Sequence, residues 1–383
     1  MKRIFSLILL AAILVSLCGC NTKNIQDALD PAVQGEITVT DTIGRSVLVT
    51  PGGYKRVLCI GAGALRMYSY VGDVSLLCAV EDIDNESLSE RPKMFDSVAR
   101  PYVLAYGETF ANLDSCGAGG PMAQAPEVEK IMVCEPDIII SEFEDVAVAD
   151  DLQEKTGVPV ITLSSGADGV FGAEFSGSMT LLGKVFGREE RAAEINSFVA
   201  EQRAAIEAIA ATVPQEDKPS VYICGLGNWG TTNHLMTAED YISFRIAGVD
   251  NAVKGLGIQG VGPIETEKFL EVTAEADIII MDAAAVKNIE DPSVFETSKA
   301  WQNGEVYLQM AYNAYYTNYE ISLINTWFIA KSVYPEQFAD VDMTAKTNEI
   351  TRVFLGKDLA EEIFACPGSF GGYQKIDTET FFK

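Results

Sequence analysis

Apolar residues along this chain gather into short unbroken runs, and one pairing of a polar run with an apolar run occurs twice. Residues 127–140 read E-V-E-K-I-M-V-C-E-P-D-I-I-I, and residues 265–280 read E-T-E-K-F-L-E-V-T-A-E-A-D-I-I-I. A helix-compatible run followed by a solid apolar run is typical of a strand buried on both faces of a parallel sheet. The repetition, 138 residues apart from Glu129 to Glu267, predicts two α/β lobes with a ligand cleft between them.

The pattern of apolar and polar residues also predicts the remaining strands and helices. Alternation in residues 37–49 predicts a hairpin, and residues 82–120, rich in Gly, Pro and Tyr, are expected to form a long irregular loop. Short apolar runs predict strands at residues 56–60, 76–80, 158–163, 220–224 and 306–308. Helical spacing of apolar residues predicts helices at residues 65–71, 323–333, 344–354 and 359–364.

Residues 175–212 contain few helix breakers and carry apolar residues at helical spacing, which predicts one long helix. Lying between the two predicted lobes, this helix would act as a stiff spine. The expected organisation is therefore an export signal at residues 1–19, a tether at 20–35, an N-terminal α/β lobe at 36–166, a linking helix at 167–214, and a C-terminal α/β lobe with a helical tail at 215–383.

The N-terminus has the layout of an export signal. Lys2 and Arg3 precede an apolar stretch over residues 4–17, and Leu17-Cys18-Gly19-Cys20 follows. This L-x-G-C ending resembles the bacterial lipobox, which implies cleavage after Gly19 and lipidation of Cys20; a plain signal peptide is the alternative. No later segment reaches the roughly 18 consecutive apolar residues of a spanning helix. We expect a protein at the extracytoplasmic face of the cell membrane, held there only by its N-terminal lipid.

Charge and cysteine content exclude several classes of function. The formal net charge is −27, which opposes binding to nucleic acid and to anionic membrane surfaces. None of the six cysteines that follow Cys20 forms a C-x-x-C pair, so a zinc or iron–sulfur site is not expected. Cys59, Cys134 and Cys224 lie in or beside apolar runs and should pack as small core residues. Disulfide pairing cannot be assigned from the sequence.

The order of these features resembles the substrate-binding lipoproteins of ABC importers for iron chelates and corrinoids. The features are the lipobox, the opening I-T-V-T-D-T-I-G-R, the G-A-G-A-L turn, the long helix and the two D-I-I-I strands, and the resemblance spans about residues 36–356. It implies two Rossmann-like lobes joined by one rigid helix, with the ligand in the cleft and little closure. It also implies a monomer whose partners are a permease and its ATPase.

The resemblance further implies one docking glutamate on each lobe, in the helix before each D-I-I-I strand. In this sequence these positions are Glu129 and Glu267. Each would face an arginine of the permease. The alternative is that both are ordinary solvated helix residues of an acidic protein.

Other classes of function fit the sequence less well. The turn Gly61-Ala62-Gly63-Ala64-Leu65-Arg66 resembles a dinucleotide-binding loop, but Arg66 stands where the third glycine is needed. There is no G-x-S-x-G motif, and His234 is the only histidine, so a catalytic triad has a single candidate base. We therefore expect a binding protein and not an enzyme. A membrane-anchored sensor or adhesin is the remaining alternative.

Candidate ligand-binding residues lie in loops of both lobes. In the second lobe the segment Y-N-A-Y-Y-T-N-Y at residues 312–319 is too dense in tyrosine for every ring to face one core. The loop at residues 225–234 follows a predicted strand, where open α/β sheets bind ligands. These two segments supply Trp229, His234, Asn313, Tyr315 and Tyr316. A satisfied, buried His234 is the alternative for that residue.

The first lobe offers positive charge. Arg66 lies at a predicted helix N-terminus beside Gly61 and Gly63, where backbone N–H groups and a guanidinium would form an anion site. Arg100 and Tyr102 lie on the predicted long loop and are similar candidates. Each arginine could instead be a surface residue.

The scarcity of histidine restricts the cargo. One histidine cannot build the several-histidine site that binds bare zinc or manganese. A metal inside a chelate needs aromatic walls and polar anchors from the protein instead, so no resident metal or other cofactor is expected. A ferric siderophore-like chelate is the leading cargo, with corrinoid, haem and a metal oxyanion such as molybdate as alternatives.

Overall fold

The structure, a computed structural model, describes residues 35–227 and 232–383. Within those ranges no helix has the length and apolarity to cross a membrane. The predicted export signal, the lipidation site at Cys20, nearly all of the tether and Trp229 lie outside the described residues.

The first lobe begins with an antiparallel hairpin and continues as alternating strands and helices. The hairpin pairs β1 (Ile37–Thr40) with β2 (Ser46–Val49), as the alternation predicted. The strands that follow are β3 (Val57–Ile60), β4 (Leu77–Val80), β5 (Asp114–Ser115), β6 (Ile138–Ser141) and β7 (Val160–Thr162). The helices are α1 (Ala64–Val71), α2 (Pro101–Phe110), α3 (Val128–Val133) and α4 (Val146–Thr156). The strands β3 to β7 form one parallel sheet in the order β5-β4-β3-β6-β7.

The linking segment is not one uninterrupted helix. It folds into α5 (Ala173–Phe186) and α6 (Glu189–Ala210), which pack antiparallel: the Asn196 side-chain amide donates to the Ser176 carbonyl at 3.0 Å. The break is at Gly187, which has a φ of 63° and whose N–H donates to the Gly183 carbonyl. Glycine in this left-handed conformation is a common helix stop. The longest continuous helix in the described ranges is therefore α6, with 22 residues.

The second lobe repeats the design of the first. Its strands are β8 (Ser220–Cys224), β9 (Met236–Ala238), β10 (Asp250–Asn251), β11 (Val261–Pro263), β12 (Ile278–Asp282), β13 (Val306–Gln309) and β14 (Gln374–Lys375). Its helices are α7 (Ile242–Ile246), α8 (Thr266–Glu275), α9 (Ala283–Val286), α10 (Lys299–Gln302), α11 (Tyr319–Val333), α12 (Met343–Leu355) and α13 (Ala360–Ala365). The main sheet has the order β10-β8-β12-β13-β14, parallel except for β14, and β9 pairs with β11.

The duplicated sequence forms the same unit in both lobes. In the first copy α3 precedes β6, which pairs with the opening strand β3; in the second α8 precedes β12, which pairs with the opening strand β8. Every residue of β6 and β12 is buried, as expected of strands covered on both faces. The predicted fold class, α/β with two Rossmann-like lobes, is confirmed.

Residues 82–120 are more regular than predicted. They contain the ten-residue α2, which starts at Pro101. Proline suits the first helical position because its φ is already helical and no N–H is needed there. Arg100 and Tyr102 therefore lie at the start of a helix and not on an irregular loop.

One hydrophobic core joins the two lobes. It runs from the first sheet through α5 and α6 to α11, where every residue except Lys331 is buried. Because α11 begins directly after the tyrosine-rich stretch, burial of this helix fixes the position of that stretch between the lobes.

Candidate ligand-binding site

Residues that follow the strands of the first sheet meet a segment that follows β13 of the second sheet. This segment, residues 312–318, is here called the tyrosine segment. The Tyr315 hydroxyl donates to Glu81 Oε2 at 2.6 Å, and Glu81 comes directly after β4. The amide of Asn318 donates to the Ala99 carbonyl of the first lobe at 3.0 Å. The carboxyl ends of both sheets therefore converge, which is where open α/β sheets bind ligands.

Arg66 holds the tyrosine segment in place. Its Nη1 donates to the carbonyls of Tyr315 and Thr317 at 3.1 and 2.6 Å, and its Nη2 donates to the Ala314 carbonyl at 2.6 Å. The side chain is 1% exposed, and its guanidinium carbon lies 4.8 Å from the centroid of the Tyr102 ring. The predicted anion-binding arginine is thus engaged with backbone carbonyls of the opposite lobe.

The two central tyrosines point in different directions. Tyr315 and Tyr316 have φ values of 52° and 71°, a left-handed conformation that is costly for residues other than glycine and is concentrated at functional sites. Tyr315 is buried, whereas Tyr316 is 42% exposed. Asn313 pairs with Thr317 through an isolated antiparallel bridge that closes the turn. Tyr316 is therefore the tyrosine of this turn that remains accessible to a ligand.

Arg100 and Tyr102 converge on one carboxylate. Arg100 Nη1 lies 2.8 Å from Asp84 Oδ1, and Nη2 lies 3.1 Å from Glu86 Oε1. The Tyr102 hydroxyl donates to the same Asp84 oxygen at 2.5 Å. Arg100 and Asp84 are both buried, so the positive charge at this point is neutralised within the protein.

His234 lies in a different environment. Its ring centroid is 5.0 Å from that of Phe269 and 5.8 Å from that of Phe295, in the aromatic core beside α8. Burial lowers the pKa of the imidazole. The structure thus gathers Arg66, Arg100, Tyr102 and Tyr315 at the lobe junction and places His234 among phenylalanines of the second lobe.

Two carboxylic acids at this junction carry no signal that the sequence analysis used. Glu81 is 6% exposed, and burial raises its pKa to about 7, opposed by the Tyr315 hydrogen bond. Glu142 comes directly after β6 and accepts a hydrogen bond from Ser165 Oγ at 2.8 Å; burial also raises the pKa of Glu142 well above its usual value. Both follow an apolar run in the sequence, and a polar residue at a buried strand end is the signal that could have identified them.

Both carboxylic acids lie against the glycine turn that begins α1. The Gly61 N–H donates to Glu81 Oε1 at 3.2 Å. Gly63 has a φ of 105°, a conformation that favours glycine, and a Cβ added there would lie 2.8 Å from Glu142 Oε2, so the carboxyl group would have to shift. The predicted anion site at this turn is therefore occupied by side chains of the protein itself.

The second lobe holds the start of the tyrosine segment through Asp282. This carboxylate, at the end of β12, accepts hydrogen bonds from Gln309 Nε2 at 3.0 Å and from the Tyr312 N–H at 3.2 Å. It is fully buried, and burial raises its pKa to about 7. Deeper in the junction, Tyr70 of the first lobe donates to Glu320 Oε2 at 2.6 Å.

The predicted docking residues occupy equivalent positions. Glu129 lies in the first turn of α3 and Glu267 in the first turn of α8, and both are exposed. Each is followed one turn later by an exposed apolar side chain, Met132 at 52% and Leu270 at 40%. Within the described ranges neither glutamate forms an ion pair, so both carboxylates are available to a partner.

Comparison with solved structures finds the same fold in several bacterial binding proteins. Molybdate-bound MolA of Haemophilus influenzae aligns with 84% of this chain and 98% of its own, at 15% identity and a TM-score of 0.64. Helicobacter pylori CeuE, in a nickel–histidine complex, aligns with 86% of this chain and 99% of its own, at 16% identity and a TM-score of 0.54. The haem-binding protein HutB of Vibrio cholerae covers 73% of this chain and 99% of its own, at 16% identity and a TM-score of 0.51.

The sequence itself also identifies the family. No curated protein matches the chain. The sequence profile described as periplasmic binding protein matches residues 103–308, more than half of the chain, and includes β5, β6 and β7 of the first sheet and most of the second sheet. Proteins of this family bind solutes outside the cytoplasmic membrane. This match confirms the predicted family resemblance, and the chain belongs to the periplasmic binding protein family.

Proposed function

We propose that this protein is the substrate-binding component of an ABC importer, that a lipid on Cys20 anchors it to the outer face of the cytoplasmic membrane, and that its cargo is a ferric siderophore-like chelate. Family membership supports the importer role. The L-x-G-C sequence supports the anchor.

The observation that carries the proposal is the convergence of both sheets on the tyrosine segment. Glu81 and Glu142 follow strands of the first sheet, and the tyrosine segment follows β13 of the second. The hydrogen bond from Tyr315 to Glu81 joins the lobes where both sheets present their carboxyl ends. A small molecule bound there would touch both lobes, and a permease that contacts both could sense its presence.

Residue chemistry favours a chelate over a bare metal ion. The chain has one histidine, and its ring packs against Phe269 and Phe295. In the described residues no group of three or more His, Cys, Asp or Glu side chains has the arrangement of a metal site. The half-exposed ring of Tyr316 offers instead the apolar contact that an organic chelate requires.

A panel of candidate cargoes tests the proposal. The purified protein would be titrated calorimetrically with ferric hydroxamate and catecholate siderophores, cobalamin, haem and molybdate. We expect a ferric chelate to bind most tightly. If haem, cobalamin or molybdate binds tightly and no ferric chelate binds, the proposed cargo is wrong. The compound that binds would then be the cargo, and the importer role would stand.

The importer role has its own test in cells. Deletion of the gene should abolish uptake of the radiolabelled cargo, and wild-type protein supplied from a plasmid should restore it. Unchanged uptake in the deletion strain would contradict the proposed role.

The predicted docking glutamates complete the proposal. Glu129 and Glu267 lie on the duplicated helices, exposed and without an ion-pair partner among the described residues. Two such carboxylates, one on each lobe, would fix the register of the protein on a permease with two facing arginines.

A further inference from the structure

The start of α1 is the place in the first lobe where an anionic ligand would be expected, because helix N-termini present free N–H groups. At this helix start, side-chain carboxyl groups of the protein itself take the place of an external anion. Glu81 accepts the Gly61 N–H at 3.2 Å, and the Glu142 carboxyl group lies against Gly63. An external anion would have to displace both acids.

The two buried arginines at the junction, Arg66 and Arg100, already have hydrogen-bond or ion-pair partners within the protein. Arg66 donates three hydrogen bonds to carbonyls of the tyrosine segment. Arg100 forms ion pairs with Asp84 and Glu86. The Nε of each arginine has no partner within the described ranges, but both atoms are buried. A guanidinium could reach an anionic ligand only by giving up these contacts.

The accessible part of the junction is acidic. The pKa of exposed Tyr316 is raised, mainly by partial burial and to a smaller extent by the negative charges of Glu142 and Glu144. Glu142 is partly exposed and Glu144 is exposed. The groups that face Glu142 from the surrounding elements are Ser165, Glu144, Arg66, Tyr316 and Tyr319. Arg66 is the one cation among them, and its Nη atoms are bonded to carbonyls.

We propose that the cleft selects a metal complex of neutral or positive charge, and that Glu142 and Tyr316 are the residues that impose this selection. The inference rests on the proposed function and narrows its cargo. An aromatic ring attracts a cation through its quadrupole, and a carboxylate attracts it by charge, so a site that offers both groups favours a cationic ligand.

The position of Glu142 couples ligand binding to the release or uptake of a proton. Desolvation disfavours the carboxylate of Glu142 more than nearby Arg66 favours it, so Glu142 holds its proton to a higher pH than usual. A cationic ligand beside Glu142 favours the carboxylate and lowers its pKa. Binding of a cation therefore releases protons, and affinity for it rises with pH. An anionic ligand would have the opposite effect on both quantities.

Three ferric chelates of different charge test the inference. The purified protein would be titrated calorimetrically with ferrioxamine B, which is positive, ferrichrome, which is neutral, and ferric enterobactin, which is negative. We expect affinity to fall in the order ferrioxamine B, ferrichrome, ferric enterobactin. The first should bind at least about tenfold more tightly than the last, the size of effect that a partly desolvated cation–aromatic contact supplies. Titration of ferrioxamine B in buffers of different ionisation enthalpy should show proton release.

The variants Glu142→Gln and Tyr316→Ala identify the residues responsible. Glu142→Gln keeps an acceptor for Ser165 and should abolish the proton release and reduce the preference for ferrioxamine B over ferrichrome. Tyr316→Ala should weaken binding of both chelates. The matched control is Glu154→Gln, the same change of charge at an exposed position of α4, which should leave all affinities and the proton release unchanged.

Preferential binding of ferric enterobactin, or proton uptake with ferrioxamine B, would overturn the inference and leave the importer role intact. If no ferric chelate binds, positive aquocobalamin, neutral cyanocobalamin and negative molybdate provide the same charge series. Preference for molybdate would overturn both the inferred charge selection and the proposed ferric cargo, and would leave the importer role intact. If no probe of either series binds, both the proposed cargo and the inferred charge selection are wrong.

Discussion

The Tyr315 hydroxyl lies 2.6 Å from Glu81 Oε2, and this hydrogen bond joins the two lobes. Its acceptor is a buried acid that follows β4, and its donor is in the tyrosine segment after β13. The protonation state of one carboxyl group is therefore linked to the packing of the lobes against each other.

This linkage predicts a pH dependence of stability. Burial raises the pKa of Glu81 from 4.5 to about 7, so the folded protein holds a proton there that the unfolded chain releases. Stability from this group is present at low pH and is lost as pH rises through that range. Between about pH 5 and about pH 8, Glu81→Gln should gain on the order of 3 kcal/mol in free energy of unfolding relative to wild type.

Urea denaturation at both pH values measures this difference. The control Glu154→Gln, at an exposed position, should follow the wild-type curve at both. A difference between Glu81→Gln and wild type that does not change with pH would show that Glu81 titrates normally in the folded protein.

Arg66 should contribute strongly to stability. Removing its guanidinium in Arg66→Met leaves the carbonyls of Ala314, Tyr315 and Thr317 without their donor at a buried position. A buried acceptor without a partner costs about 1–3 kcal/mol, so we expect a loss of at least about 2 kcal/mol and faster hydrogen exchange in the tyrosine segment. The measurements are chemical denaturation and hydrogen exchange with mass spectrometry.

The control for this substitution is Arg203→Met on α6, which removes an exposed pair with Glu207. Exposed pairs contribute little, so its effect should stay below about 1 kcal/mol. Equal losses in the two variants would mean that the Arg66 contacts do not hold the tyrosine segment.

If Glu129 and Glu267 dock the permease, their substitution should affect transport without affecting ligand binding. Glu129→Arg combined with Glu267→Arg reverses the charge at both exposed helix starts and should abolish uptake. Ligand affinity should be unchanged, because both residues lie on outer helices and not at the lobe junction. The measurements are uptake of radiolabelled cargo by cells and calorimetric titration of the purified protein.

The double variant Glu154→Arg, Glu275→Arg makes the same change of charge on α4 and α8 at other exposed positions. It should transport normally. Normal uptake by the Glu129→Arg, Glu267→Arg protein would show that these glutamates do not dock the permease.

Anchoring is tested by metabolic labelling. A clickable palmitate analogue should label the wild-type protein in its host and should not label Cys20→Ala. Cys366→Ala, which removes a partly exposed free thiol, is the control and should remain labelled. Wild-type protein that carries no label would contradict the lipoprotein assignment.

The fold could be predicted from sequence because its signals are local and repeated. The strand Ile138–Ser141 and the strand Ile278–Asp282 each follow a helical run, and burial on both faces makes them continuously apolar. The sequence shows a glycine at position 187, but it does not show that the helix ends there. A glycine inside a helical pattern is often tolerated, and only the packing of α5 on α6 makes it a turn.

The partners of the candidate site residues could not be predicted. Arg66 had the features of an anion-binding arginine, but its acceptors are carbonyls 248 to 251 residues away along the chain. For Glu142 the sequence offers only its place directly after the strand Ile138–Ser141, and that place does not reveal its partners. Its role depends on Gly63 and Ser165, which only the folded sheet brings to it.

The short strand β14 closes one side of the second sheet. It runs antiparallel to β13, pairing Lys375 with Tyr307 and Gln374 with Leu308, and the Ile376 N–H donates to the Val306 carbonyl at 2.8 Å. A strand whose outer N–H and C=O groups are unpaired is a template for association between molecules. An affinity tag or truncation that pulls residues 374–376 away would expose β13 in this way, so recombinant protein altered there should aggregate at concentrations where the intact chain stays dispersed.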